Sequence, residues 1–426
     1  MIYEPLEKFV RLSQGLAVNK GTSYLFSDYK TDEFIYPLLR IVDLESGNHS
    51  TFSKYVSKDV SKSVVISEDT IVFSRVTCQC FRGFSGVVHN NLFVVEPIND
   101  FISKDYLFAI LQSSFVRNQA LNLAKSSVVP DLTHDMFKSI RIPIPDKSEQ
   151  NKIVAVYQSI SSKISNNNAI AAELEGMAKD LYDYWFVQFD FPDENGKPYK
   201  SSGGKMVWNE ELKREIPEGW EISKASALLD VTRGISYSAK DLLGKGVAMI
   251  NLNTFNTDST FKKNGMKTYS GKYSDEKKVQ PYDLLMCVTQ QTDIDMTGRS
   301  DVIGKTFLMP NLGFDNDVVM SMDVAKLSCP SRWWLPFFHY LFQTFYAHRF
   351  ITGYANGTKI KHLDVEAALN VPFVKASDSL VKQYANIALS ISEKQSTIIL
   401  ENMELASLRD FLLPMLMNGQ VKVKGA

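Results

Sequence analysis

The sequence predicts an α+β fold: two mixed β-sheet domains with helices, separated by two long coiled-coil-like helices, the whole forming an internal pseudo-twofold repeat. Three observations carry this. Shifting the chain by 231 positions lays its second half on its first without gaps over roughly 80 residues. Each half opens on an irregular stretch with short β-branched runs. Each half then closes on a long segment whose apolar residues step by seven.

In chain order, residues 1–146 form the first domain and 147–189 the first long helix. Residues 190–217 are a linker, 218–375 the second domain, 376–418 the second long helix and 419–426 a tail. Strand-like runs in the first domain are 63–66, 70–73 and 91–95, and in the second 247–250 and 283–288, each bounded by Gly, Asn, Asp or Ser. Helical segments follow at 104–121 and 335–351. Proline-marked turns come next, at Pro143 and Pro145 in one half and Pro372 in the other. Under the 231-residue shift, 106–112 falls on 337–343, 124–127 on 355–358, Leu132 on Leu363 and Leu181 on Leu412.

The first long segment, 148–187, has no proline and steps through Ile153, Ile160, Asn167, Leu174 and Leu181. Ile164, Ile170, Met177 and Trp185 widen its apolar stripe. The second, 378–413, steps through Tyr384, Ile391, Ile398, Leu405 and Leu412. Such heptads mark helices that pack on each other, and a polar Asn in the seam fixes register at some cost in stability. A helix of about 40 residues is roughly 60 Å long, a spacer as well as a packing surface. The linker carries Asn195-Gly196-Lys197-Pro198 and Ser201-Ser202-Gly203-Gly204, which are turn and linker residues.

Composition excludes several classes. With 44% hydrophobic and 22% charged residues among 426, the chain is long and apolar enough for sizeable cores. The net charge of −1 does not advertise a nucleic-acid partner, so any such role rests on local features. Cys78, Cys80, Cys287 and Cys329 have no zinc spacing, and with no basic, apolar leader they point to a reducing cytoplasm. The most apolar stretch, 333–346, is too short and polar to span a bilayer.

Catalytic motifs fail one by one. Gly304-Lys305-Thr306 lacks the glycine that a phosphate-binding loop needs at position 299, where Arg299 stands. No G-x-G-x-x-G follows a strand, and G-x-S-x-G, H-E-x-x-H and the [DN]-P-P-[YF] loop of adenine methyltransferases are absent. His134 with Asp131 and Asp135 fits a helix start, where acids suit the dipole.

Features suited to nucleic acid are local. Lys125, Ser126 and Ser127 stand at the same repeat position as Asn356, Thr358, Lys359 and Lys361, small polar and basic loops able to hold phosphates. Arg75, Gln79 and Arg82 in one half, and Gln290, Gln291, Thr292 and Arg299 in the other, follow equivalent strands. Arg pairs well with guanine and Gln with adenine in the major groove. A merely solvated polar loop has the same composition. The lysines at 262, 263, 267, 272, 277 and 278 are a further basic cluster open to both readings.

Several stretches resemble the specificity subunits of type I restriction–modification systems. They are Ile142-Pro143-Ile144-Pro145, Glu149-Gln150-Asn151-Lys152-Ile153, Trp185-Phe186-Val187-Gln188-Phe189-Asp190 and Asn195 through Gly204. Lys213-Arg214-Glu215-Ile216-Pro217-Glu218-Gly219-Trp220 and the tail Leu413-Pro414-Met415-Leu416-Met417-Asn418-Gly419-Gln420-Val421 belong with them. The pattern thins after the second domain, to Val371-Pro372-Phe373 and Ser379-Leu380-Val381. The resemblance implies two target-recognition domains, each reading one half of a split, asymmetric site in double-stranded DNA. It implies that the helices pack antiparallel, set the gap between half-sites and dock two methylation (M) subunits. Chemistry would come from partners: methylation with S-adenosylmethionine, and restriction (R) subunits with ATP and Mg2+. This chain itself would bind no cofactor or metal, catalyse nothing and contact no membrane.

Overall fold

The computed structural model describes residues 3–18, 21–45, 52, 54–61, 64–124, 131–243, 245–291, 302–417 and 419–421. The chain forms two compact units, one of Met1–Ser165 with Met403–Ala426, the other of Asn166–Asp293 with Ser300–Asn402. The division runs through both long helices.

In the first unit, strands Val10–Gln14, Leu92–Pro97, Ile71–Ser74 and Cys80–Phe81 lie in that order in an antiparallel sheet. Its central strands are buried on both faces, so the alternation of side chains sorts them into two cores. Ile71, Phe73, Phe93 and Val95 join the core under the helices, while Val72, Leu92 and Val94 join a second core. That second core lies against a mixed sheet of Phe26–Ser27, Tyr55–Ser57, Phe34–Leu39, Gly86–Val88 and Val65–Ile66, in which Phe34–Leu39 and Gly86–Val88 run parallel. Helix α1 (Ile41–Glu45) follows a strand of this sheet. Helices α2 (Lys104–Leu111), α3 (Ser114–Leu123) and α4 (His134–Ser139) begin at Ser103, Ser113 and Thr133, whose side chains accept from backbone N–H groups of the first turn. Tyr3–Pro5 pairs with Arg141–Pro143 and clasps the domain's two ends.

The second unit repeats this plan. Asp230–Arg233, Val324–Ser328, Leu284–Cys287 and Thr306–Leu308 form the antiparallel sheet in the same order. Val247–Ile250 and Val318–Met320 form the parallel pair, and Glu221–Lys224 with Pro372–Lys375 the clasp. Leu284 and Met286 again face one core, Leu285 and Cys287 the other. Gly15 and Gly234 close equivalent strands where a Cβ would lie about 2 Å from a carbonyl oxygen, of Val88 and Ser321 respectively.

The long helices are α5 (Lys147–Tyr182), which ends in a π-helical turn Asp183–Val187, and α9 (Asp378–Met417). Between them come α6 (Trp334–Gln343), α7 (Phe345–Thr352) and α8 (Val365–Ala368). The starts of α5 and α9 are 231 residues apart, and so are the capping pairs Ser113/Thr344 and Thr133/Asp364. The helices are antiparallel. Ile153, Val154 and Tyr157 of α5 pack with Leu413, Leu416 and Met417 of α9 in the first unit. In the second, Tyr384 Oη donates to the carbonyl of Ala178 (3.2 Å), and Gln395 Nε2 to that of Ala171 (3.2 Å).

The seam contains buried Ile153, Ile160, Asn167, Trp185 and Ile391, with Leu174, Leu181, Ile398, Leu405 and Leu412 half-buried beside them. The expected widening of the α5 stripe is only partial. Ile170 and Met177 are 51% and 61% exposed. The second buried row is instead Tyr157, Ala178 and Trp185, four residues on from the stepping positions. A helix turning at 3.6 residues brings both i+3 and i+4 beside i, and here α9 packs over the i+4 row.

Residues 190–217 are ordered rather than loose. Phe191 stacks between Tyr199 (4.7 Å) and Trp220 (4.9 Å). Asp190 accepts from the backbone N–H (2.7 Å) and hydroxyl (2.6 Å) of Ser201, and Met206–Asn209 pairs with Arg214–Pro217 in a hairpin. Turn residues supply the bends, and the aromatic side chains hold them in one conformation.

Candidate nucleic-acid interface

Polar residues far apart in the second domain's sequence meet on one ribbon. Thr289–Gln291 pairs antiparallel with Ile360–Leu363, which pairs in turn with Ala355–Asn356. Gln290 stands opposite Lys361, and Asn356 opposite His362. Thr358 and Lys359 occupy the tip between the last two strands. The tip depends on Gly357, whose φ is +132° and whose Cβ would lie 2.0 Å from the carbonyl oxygen of Ile360. The side chain of Gln290 points back, accepting from the backbone N–H groups of Val302 and Ile303 (both 3.1 Å). Gln290 is therefore a brace at the ribbon's base. Leu363 N–H donates to the carbonyl of Val288 (2.8 Å), and Arg233 Nη2 to the carbonyl of Leu363 (3.3 Å). Gln291 lies at a strand end, and Thr292 and Arg299 lie outside the described residues.

The same place in the first domain is anchored the same way. Leu132 N–H donates to the carbonyl of Arg75 (3.2 Å), the counterpart of the Leu363–Val288 bond. Arg75 reinforces it, donating from Nε to the Leu132 carbonyl (3.1 Å) and from Nη2 to Asp131 (2.7 Å). Its guanidinium also lies 5.6 Å from the ring centre of Phe93. Arg75 thus holds the backbone at Asp131 and Leu132, and Lys125, Ser126 and Ser127 lie outside the described residues. Gln79 is half-buried at the end of a tight turn, its carbonyl accepting from Ser74 N–H (2.8 Å). His134 packs 4.5 Å from Phe93, and burial holds its imidazole below the usual value.

Comparison with known proteins fits this paired arrangement. Residues 7–176 match the family described as the type I restriction modification DNA specificity domain. The chain is 21% identical over 347 residues to the type I restriction enzyme MjaIX specificity subunit of Methanocaldococcus jannaschii, covering 80% of this chain and 76% of that one. It is 22% identical over 395 residues to the HindI specificity subunit of Haemophilus influenzae, covering 79% and 81%. The chain is thus similar, over residues 7–176 and at low identity over most of its length, to type I restriction–modification specificity subunits. The crystal structure of the S subunit from M. genitalium aligns with 97% of this chain and 95% of its own, at 12% identity and a TM-score of 0.47.

Other residues of this chain with candidate roles lie elsewhere. Arg82 is held by Asp105 (2.5 Å) and Asp69, beside Lys104, with its guanidinium 5.7 Å from the ring of Phe108. That cluster borders a cavity of about 270 Å³ shared with Tyr157 and Ser161 of α5. In the lysine group, Lys278 pairs with Asp275 (2.8 Å) and Asp317 (3.0 Å), and Lys277 with Glu276 (3.0 Å). Lys263 lies over Phe314, and burial lowers its pKa. Lys262 and Lys272 are exposed. Gly304 and Lys305 form a turn into a strand in which Thr306 Oγ1 meets His339 Nδ1 at 3.0 Å, deep in the core. Among the described residues no group of three His, Cys, Asp or Glu side chains is placed to share a metal ion, and no helix is long and apolar enough to cross a membrane. Sequence reasoning missed Arg233, Ile360 and His362. The alternation of Lys359-Ile360-Lys361-His362 was the available signal for a two-faced strand.

Proposed function

We propose that this chain is the DNA-reading subunit of a type I restriction–modification complex and carries no catalytic group of its own. Each α+β domain reads one half of a bipartite, asymmetric site in double-stranded DNA. The observation that carries this is the duplicated anchor, Leu132 on Arg75 and Leu363 on Val288, which stands at the same place in both domains, just after the polar segments that differ between them. The loops differ in sequence, so the two half-sites differ. The antiparallel helices fix the gap between them. α5 has 36 residues and is about 54 Å long, more than the roughly 34 Å of one DNA turn.

The same helices dock two M subunits. The support is the exposed row Ile170 and Met177, which finds no cover in this chain's own seam. Methyl transfer from S-adenosylmethionine is then the M subunits' work, and ATP- and Mg2+-dependent translocation and cleavage that of R subunits. The test is to exchange residues 218–370 for the matching domain of another specificity subunit and map methylated bases. One half of the methylated word should change and the other stay. Both halves unchanged would overturn the reading.

A further inference from the structure

The three-stranded ribbon has more specific features than a basic loop. Residues directly opposite on antiparallel strands share a face, and alternate residues along a strand share it too. Asn356 and His362 are directly opposite, and Ile360 stands two residues from His362. All three are exposed, Ile360 by 46%. One face of the hairpin therefore offers an amide, an imidazole and an apolar branch in a short row. Lys361 lies on the other face and Lys359 at the tip. From Tyr354 to Leu363 there is no Asp or Glu. The base is stiff: Gln290 braces one side, Arg233 holds the carbonyl of Leu363, and buried Leu363 anchors the end of the strand.

A two-stranded ribbon fits the major groove of B-DNA. An Asn amide matches the paired donor and acceptor of adenine, and an apolar side chain matches the thymine methyl. Cationic side chains flanking such a row match the two phosphate backbones.

We propose that the hairpin of residues 355–363 enters the major groove at the second half-site, with Asn356, Ile360 and His362 reading base edges while Lys359 at the tip holds a phosphate. This rests on the DNA-reading function proposed above and names its mode in the second domain. The reading residues are exposed and make no core contact, so their removal spares the fold.

The test uses the full-length chain co-expressed with its M subunits, selecting bound DNA from a randomised duplex library. The wild-type complex should select a split word. Asn356→Ala and His362→Ala should each relax one or two neighbouring positions of one half by roughly 10- to 100-fold in discrimination, with the other half untouched. Lys359→Ala should weaken binding to all sequences alike and reduce the slope of log affinity against log salt by about one. A thermal melt matching wild type keeps the comparison valid. If the wild type selects a split word and both base-facing variants select it unchanged, the hairpin does not read bases and the mode is wrong. If relaxation falls in both halves, the assignment to the second half-site is wrong. If the wild type selects no word, or binds RNA or a protein at this hairpin instead, the DNA-reading function itself fails.

Discussion

At the scale of single residues, two polar groups, one buried and one half-buried, set the behaviour of the helix pair. Asn167 is 2% exposed, and its Nδ2 donates to Glu401 Oε2 (2.8 Å) and Asn402 Oδ1 (2.9 Å), while Asn402 Nδ2 donates to Asn168 Oδ1 (2.8 Å). Truncation leaves a carboxylate and an amide short of a donor, so Asn167→Ala should cost about 1–3 kcal/mol, read as a lower urea midpoint. Asn167 was legible as the polar place in an apolar step. Its partners were not, because nothing local in a sequence says which residues of a distant helix come level. Glu175 is the second case. Burial pushes its pKa up, but His339, with Nε2 3.8 Å from Oε1, and the amide of Gln395 outweigh that and hold it below the usual 4.5. A carboxylate depressed in the fold adds stability that is full above its unfolded pKa and disappears as pH falls through the folded one. Glu175→Gln should therefore lower the urea midpoint at pH 7, and the gap from wild type should close as the pH falls below the ordinary carboxylate value and through the lowered one. A gap constant with pH would show that the charge contributes nothing.

At the scale of elements, the seam teaches what a heptad step can and cannot reveal. The stepping row was legible, because Ile153, Ile160, Leu174 and Leu181 recur at one interval. The second row was ambiguous, since apolar residues stood both three and four places on. Only packing distinguishes them, and α9 covers the i+4 row. Ile153→Ala, in full burial, should cost about 2–5 kcal/mol, whereas Ile170→Ala should change stability by less than about 0.5 kcal/mol in the same urea titration. The exposed row should show instead in assembly. Ile170→Lys with Met177→Lys should leave the melt of this chain unchanged and reduce co-purification with M subunits. Unchanged co-purification would remove this row from the docking surface. The ribbon behaved differently from the helices. Its polar segments were visible in the sequence, but their meeting was not, because strand pairing is non-local and the register depends on anchors such as Leu363 that look like any apolar residue.

At the scale of the whole molecule, duplication was legible where packing constrains sequence and hidden where function diversifies it. The 231-residue offset holds from α2 to α5 and from α6 to α9, where helices must fill the same cores. The strands before them had drifted in length and residue type, yet both domains keep one sheet order and one parallel pair. Each unit also keeps its own core. Phe137 lies in one cluster with Phe73 and Phe93, and Phe337 in another with Trp334, Phe338 and Phe373, and the two clusters share no residue. Separate cores should melt separately, unless the helices that run through both units transmit the loss. Phe137→Ala and Phe337→Ala should each cost about 3–5 kcal/mol, since each removes a fully buried ring. In calorimetry of the full chain, the first should lower one transition and leave the other in place, and the second should do the reverse. A single transition lowered by both variants would show that α5 and α9 make the two halves one cooperative body, so that weakening one domain weakens both.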